Sequence, residues 1–218
     1  AAVSAEDAHN IQHISGYNDS ASDYDITDTA AALISAGDHV LNVSGVDVVT
    51  VSDGATSAQD GAILAGFTAD VEFDVADDVG DLKAVMGTDD PASYLTEARS
   101  ITVDNGGGDR VVNANDGAIL AGFTADVDFD VVDDANAVAA EVTGMGNSLG
   151  DLNEAADVVV SGGDVTTAEA AAIQQISGYN ETGSDYEITD NAGAVIGAGS
   201  SVIEDGGVTR VEVTGCLL

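Results

Sequence analysis

Cationic side chains are nearly missing from this chain. Four Lys and Arg stand against 40 Asp and Glu in 218 residues, a formal net charge of −36. Nucleic-acid binding draws on cations that displace counterions from phosphates, so that class of partner is excluded. Anionic membrane surfaces are disfavoured on the same ground, and no apolar run approaches the ~18 residues needed to span a bilayer. Trp is absent and Phe and Tyr together number nine, which leaves little for a sugar-binding platform of exposed rings. Proline and cysteine each occur once. Cys216 therefore has no disulfide partner within the chain and is expected as a free thiol, its place near the C-terminus also permitting an intermolecular bridge. The opening AAVSAEDAHN has neither the basic nor the apolar stretch of a signal peptide.

The apolar material that is present, 44% of the chain, is mostly Ala, Val and Ile. Small and β-branched side chains suit thin, regularly repeating layers better than a bulky centre, and 26 Gly fit many short turns. A charge of this size repels itself, so the folded state needs screening salt or bound cations. A merely well-solvated acidic surface and specific Ca²⁺ binding by hard carboxylate oxygens both satisfy that need.

Self-alignment reveals internal copies. AQDGAILAGFTADVEFDVADD (58–78) recurs as ANDGAILAGFTADVDFDVVDD (114–134), with 18 of 21 positions identical. IQHISGYNDSASDYDITDTA (11–30) recurs as IQQISGYNETGSDYEITDNA (173–192), with 14 of 20 identical. Ile11, Ile63, Ile119 and Ile173 each end a small-residue helical stretch, at spacings of 52, 56 and 54 residues. The copies run A-B-B-A in one array over 1–218, with repeats near 1–45, 46–99, 100–156 and 157–218. Each period divides again, because β-branched runs appear at YDITD, VVTVSD, VEFDVAD, ITVDN, VDFDVVD, VVVSGGD, YEITD and VTRVEV. Several alternate apolar with polar, as a strand with one buried face does. Pieces such as TSAQDGAILAGF and TAEAAAIQQISGY between them carry helical spacing. The chain is expected to open on a helix segment, SAEDAHNIQHI, with no strand before it. The expectation as a whole is an α/β repeat solenoid of about eight strand-plus-helix units with a parallel sheet. In that register Ile63 and Ile119 should be buried at equivalent places.

The strand ends carry acids: Asp28, Asp53, Asp77, Asp133 and Asp190, with Asp104 followed by Asn105. Such an Asp can accept hydrogen bonds from the free N–H groups of the next helix. Stacked along one edge, the same carboxylates would form a ladder holding Ca²⁺. Asp109, in DNGGGDRVVN, brings Asp and Gly together as calcium loops do, although a flexible connection between repeats is the plainer reading. Asp28, Asp53, Asp77, Asp104, Asp109, Asp133 and Asp190 are thus the candidate metal ligands.

His9 and His13, four apart on an expected helix, have the spacing of a metal pair. The second copy has Ala171 and Gln175 there, so surface histidines are the expectation. Tyr17 and Tyr24, repeated as Tyr179 and Tyr186, are expected to close the end of a layer. No nucleophile elbow, phosphate loop, zinc signature or Ser/His/Asp arrangement is present. Paired carboxylates among 40 acids carry no information about catalysis.

The strings ITDTAAAL, VTVSDG and SAQDGAIL, recurring in an Ala/Val/Asp-rich and Lys-poor chain, resemble the repeats of very large secreted bacterial surface proteins. These include adhesins, calcium-dependent surface proteins and S-layer-like coats of aquatic bacteria. The resemblance covers most of the chain and implies an extracellular, calcium-dependent, non-enzymatic role. The leading expectation is a structural or adhesive module that associates head to tail or continues into flanking repeats. The alternatives are a polysaccharide-acting enzyme on a parallel solenoid and an acidic cation-buffering or mineral-associated protein.

Overall fold

Each of the eight β-branched runs contributes a strand, and helices occupy the stretches between them. The computed structural model describes residues 1–86, 95, 97–122, 126–144 and 151–215, and Cys216 lies outside them. The chain is α/β with parallel strand pairs, as expected where a helical crossover separates successive strands. Two compact units divide it, one mainly Ala1–Gly108 and the other mainly the residues from Asp109 onward.

The first unit runs β1 (Ala2–Val3), α1 (Ala5–Gln12), β2 (Tyr24–Asp28), α2 (Ala30–Ala36) and the short α3 (Asp38–Leu41). It continues with β3 (Val46–Val51), α4 (Ala58–Ala65), β4 (Val71–Glu72), β5 (Asp74–Asp77), α5 (Val79–Met86) and β6 (Ser100–Val103). One sheet has the order β1-β2-β3-β4, and β5 pairs with β6. The second unit runs β7 (Val111–Val112), α6 (Ala114–Leu120), β8 (Val127–Asp128), β9 (Asp130–Asp133), α7 (Ala135–Thr143) and β10 (Asp157–Val165). It ends with α8 (Thr167–Ile173), β11 (Asp185–Asn191), α9 (Ala192–Ala198), α10 (Ser200–Ile203) and β12 (Val208–Thr214). Its sheet has the order β12-β11-β10-β9-β7. The short β1 pairs with β2, so the first helix does come after a strand, which corrects the expectation that none precedes it.

The strand faces obey the alternation in the sequence. In β4 and β5, Val71, Phe73 and Val75 are buried while Glu72 faces water. Register stacks the inward residues into rows: Ile26 against Val49 against Val71 in the first unit, and Val112 against Val131 against Val158 in the second. Three helices of the copies bury one residue per turn. In α4 these are Ala58, Gly61 and Leu64; in α6, Ala114, Gly117 and Leu120; in α8, Thr167, Ala170 and Ile173.

That phase corrects the expected core. Ile63 is 41% exposed and Ile119 is half-buried, whereas Leu64 and Leu120 are fully buried. Counted from the capping residues Ser57, Asn113 and Thr166, the buried position is the seventh, and it holds Leu64, Leu120 and Ile173. The isoleucine alignment is one residue out of step between the two families. One residue turns a helix by about 100°, which is enough to swing a side chain off the inner face.

Glycine explains how a Phe fits beneath α4. A Cβ on Gly61 would stand 2.9 Å from Val75 Cγ2 and 3.2 Å from Phe73, and Gly117 stands in the same relation to Val131 and Phe129. Close packing leaves no room for that methyl. The A copies have Ala8 and Ala170 at this helix position.

The A copies match beyond their sequence identity. Gln12 Nε2 donates to Tyr24 Oη and to the Val40 carbonyl, both at 2.9 Å. Gln174 Nε2 donates to Tyr186 Oη at 2.8 Å and to the Val202 carbonyl at 3.0 Å. The constant offset of 162 residues extends the A alignment from Ile11–Val51 to Ile173–Val213. Of the repeated tyrosines, Tyr24 and Tyr186 are buried core residues, whereas Tyr17 and Tyr179 are half-buried.

Candidate functional site

The aspartates at the strand ends are where the repeats put identical chemistry, and the structure gives them a specific task. Asp28 Oδ2 accepts from Ala5 N at 3.0 Å, Asp53 Oδ1 from Ala30 N at 3.0 Å, and Asp77 Oδ2 from Ala58 N at 2.9 Å. Asn105 Oδ1 accepts from Val79 N at 3.2 Å. In the second unit, Asp133 Oδ2 accepts from Ala114 N at 3.0 Å, and Asp190 Oδ2 from both Thr167 N and Thr167 Oγ1. The helix served always lies earlier in the chain, its first residue 19 to 26 positions back. This corrects the expectation that each Asp caps the helix after it. The later helix has its own cap: Ser4, Thr29, Ser57, Asn113, Asp134, Thr166 and Asn191 each accept from an N–H inside the first turn. The second oxygen of Asp28, Asp77, Asp133 and Asp190 takes the N–H of the adjacent cap residue.

Both oxygens of these four carboxylates are therefore engaged by backbone donors, and charge at a helix N-terminus adds to the attraction. The Thr167 hydroxyl is the largest of several donors that hold the Asp190 carboxyl below the usual carboxylate range. The series breaks at β10, where Gly163 replaces the acid. There φ is +91° and an added Cβ would lie 3.2 Å from Ala135 N.

Asp104 and Asp109 serve the connection DNGGGDRVVN. Asp104 Oδ1 accepts from Gly106 N and Gly108 N, and Asp109 Oδ1 accepts from Val111 N. Gly106, Gly107 and Gly108 all have positive φ, a run that only glycine adopts without strain. Asp104 thus organises the turn that the sequence suggested was a flexible connection. The seven candidate aspartates occupy separate strand ends and turns. Among the described residues, one acidic triplet has ligand atoms within 4.8 Å of one another: Asp77, Asp78 and Asp81. There Asp78 Oδ1 already accepts from Asp81 N.

A second acidic set lies on the outer strand face, and each arginine answers part of it. Arg99 reaches Asp74 at 2.7 Å and Glu72 at 3.8 Å. Arg110 pairs with Asp128 and, at 3.3 Å, with Asp130, the corresponding acids of the second B copy. Arg210 pairs with Glu187 and with Glu212 at 3.1 Å, and it holds the Glu187 carboxyl below its ordinary range. The first A copy has no such cation. Val48 stands where the second copy has Arg210, and Asp47 where it has Thr209. Asp47 shares a hydrogen bond with Asp23 and faces the charge of Asp25, which raises its carboxyl pKa. Sequence reading missed Asp23 and Asp47. Extending the A alignment through residues 31–51 would have exposed the exchange.

The histidine pair is joined by a third ring, His39 on α3, beside a cleft of about 510 Å³ in the first unit. No helix among the described residues is long and apolar enough to cross a membrane. Comparison with protein-family models, curated proteins and solved structures returned no match.

Proposed function

We propose that the chain is a non-enzymatic structural or adhesive repeat module of an extracellular surface. In this reading it is a parallel βα-solenoid of about eight coils, stabilised by Ca²⁺, whose last coil stacks on a second copy or on flanking repeats. The observation that carries the proposal is a difference between the two A copies. Leu33, Val40, Leu41, Val49 and Val51 are buried in the first. Their counterparts Val195, Val202, Ile203 and Val211 are only half-buried, and Val213 is 43% exposed beside Ile196 at 82%. The same apolar layer has a covering neighbour in one place and none in the other.

β12 is also the edge strand of its sheet, as β1 is of its own. An edge strand beside an uncovered apolar layer templates further pairing. Joining a β12 edge to a β1 edge is a heterologous contact, which continues as a filament unless its rotation closes a ring. Ala5 is already covered by its own chain, whereas Val211 retains exposure. The acidic surface and the resemblance in sequence texture support a secreted setting, where Ca²⁺ is plentiful.

Sedimentation velocity over a concentration series in Ca²⁺ tests the reading. Species larger than the monomer should grow with concentration, and Ile196→Asp with Val213→Asp should abolish them without changing the circular dichroism spectrum. A monodisperse monomer at every concentration, in wild type and variant alike, would remove the assembly proposal.

A further inference from the structure

We propose that His9, His13 and His39 form a binding site for a borderline transition-metal ion of the Zn²⁺, Ni²⁺ or Cu²⁺ class. The chain has three histidines in all, and the fold brings them together. The ring centroids of His9 and His13 are 4.3 Å apart, and those of His9 and His39 are 6.2 Å apart. α1 supplies His9 and the adjoining C-cap His13 at a spacing of four residues, which puts them on one helical face. Gly37, with φ +67°, starts α3 and so places His39. Gln12 ties the two helices together through its hydrogen bond to the Val40 carbonyl. Glu6 and Asp28 line a cleft with His9 and His39, adding negative charge around an incoming cation.

The hydrogen bonding suits a ligand role. His13 Nδ1 lies 2.8 Å from the His9 carbonyl oxygen. A carbonyl can only accept, so Nδ1 carries the proton and the neutral ring keeps its lone pair on Nε2. Metal-binding imidazoles are commonly oriented by such a bond from the other ring nitrogen. All three rings are exposed; their nitrogens do not lie within 4.8 Å of one another as they stand, so binding one ion requires the side chains to turn toward each other. Imidazole nitrogen selects this class of metal, whereas the acidic surface elsewhere offers oxygen ligands suited to Ca²⁺.

The second A copy provides an internal control. It repeats the Gln174 hydrogen bonds to Tyr186 and Val202, yet carries Ala171, Gln175 and Ser201 at the three histidine positions. The scaffold folds without histidine at any of them, so all three in one copy are an addition to the fold. Sequence reading assigned His9 and His13 the spacing of a metal pair but set them aside as surface residues because the second copy lacks them, and it did not include His39.

Titration calorimetry of the intact chain with Zn²⁺, in excess Ca²⁺ to occupy the oxygen sites, tests the assignment. One tight event per chain is expected. The variant His9→Ala, His13→Gln, His39→Ser carries the residues of the second copy, and its affinity should fall about 100-fold or more while its metal-free melting temperature barely moves. Electron paramagnetic resonance with Cu²⁺ should reveal coupling to several imidazole nitrogens in the intact chain and none in the variant. An unchanged Zn²⁺ isotherm in the triple variant overturns the site, as do oxygen-only Cu²⁺ ligation in the intact chain and unchanged affinity in His39→Ser alone.

Discussion

Asp28 serves two helices at once: Oδ1 accepts the N–H of Thr29 beside it at 2.8 Å, and Oδ2 accepts the N–H of Ala5, 23 residues earlier, at 3.0 Å. Asp77 and Asp133 do the same in the B copies. Asp77→Ala and Asp133→Ala should each lower stability by about 1–3 kcal/mol, because both backbone donors lose a charged acceptor. Asn at either position offers one carbonyl oxygen for two donors and should fall between. Urea denaturation at fixed salt measures the series.

Acid should act through the same groups. The Asp190 carboxyl is held low in the folded state, first by the Thr167 hydroxyl. A lowered folded-state pKa stabilises the fold above the ordinary carboxylate value of about 4, and that contribution is lost as pH falls through the lowered value. The gap in melting temperature between wild type and Asp190→Asn should therefore be widest near neutrality and shrink as acid protonates the carboxylate. A gap that stays constant throughout the acid limb would mean that ionisation of Asp190 is not involved.

Leu64→Ala and Leu120→Ala should each cost about 2–5 kcal/mol, as expected for a fully buried leucine. Ile63→Ala, one residue away, should cost well under half of that, since the side chain is partly in water. Chemical denaturation of the three variants separates the two helical phases directly.

Thr56 has a buried hydroxyl with no hydrogen-bond partner among the described residues, and the second B copy has Val112 in its place. Thr56→Val removes an unsatisfied polar atom at nearly constant shape. It should raise stability by about 1 kcal/mol. A lower melting temperature would point to a partner for that hydroxyl.

Calcium should stabilise the chain beyond what ionic strength alone provides, through mass action on the native state. Asp23 and Asp47, hydrogen-bonded to each other and facing the charge of Asp25 where the first A copy lacks an arginine, are where added cations should relieve the most like-charge repulsion. The Asp47 carboxyl is raised first by its hydrogen bond to Asp23 and then by the charge of that neighbour, so the fold loses stability as pH rises and the shared proton leaves. Asp47→Thr, the residue of the second copy, should raise the melting temperature at low salt and shrink the gain from Ca²⁺. Equal shifts from Ca²⁺ and ionic-strength-matched NaCl would leave only screening.

The strands are legible because VEFDV and YDITD alternate strictly, and a period of two leaves one arrangement of faces. Helix phase is less legible. In AILAGF, Ile63 and Leu64 are both apolar, and a short amphipathic stripe does not say which of two neighbours faces inward. The strand-end aspartates are recognisable as caps, but their partner is not. Which helix an acid serves depends on the stacking of parallel strands, which sequence spacing does not encode. His39 lies outside the strongly matching segment 11–30, and its approach to His9 depends on how α3 packs against α1.

The cross-linking of strand ends to earlier helices gives the chain a direction. Six of the described helices are finished by a side chain from a later strand end, so at those places structure is secured backward from the stretch added after it. An injury to one strand end should loosen the helix immediately upstream first and leave more distant clasps closed. Chain growth from the N-terminus would always carry one unsealed turn at its advancing end, locked only when the next stretch arrives.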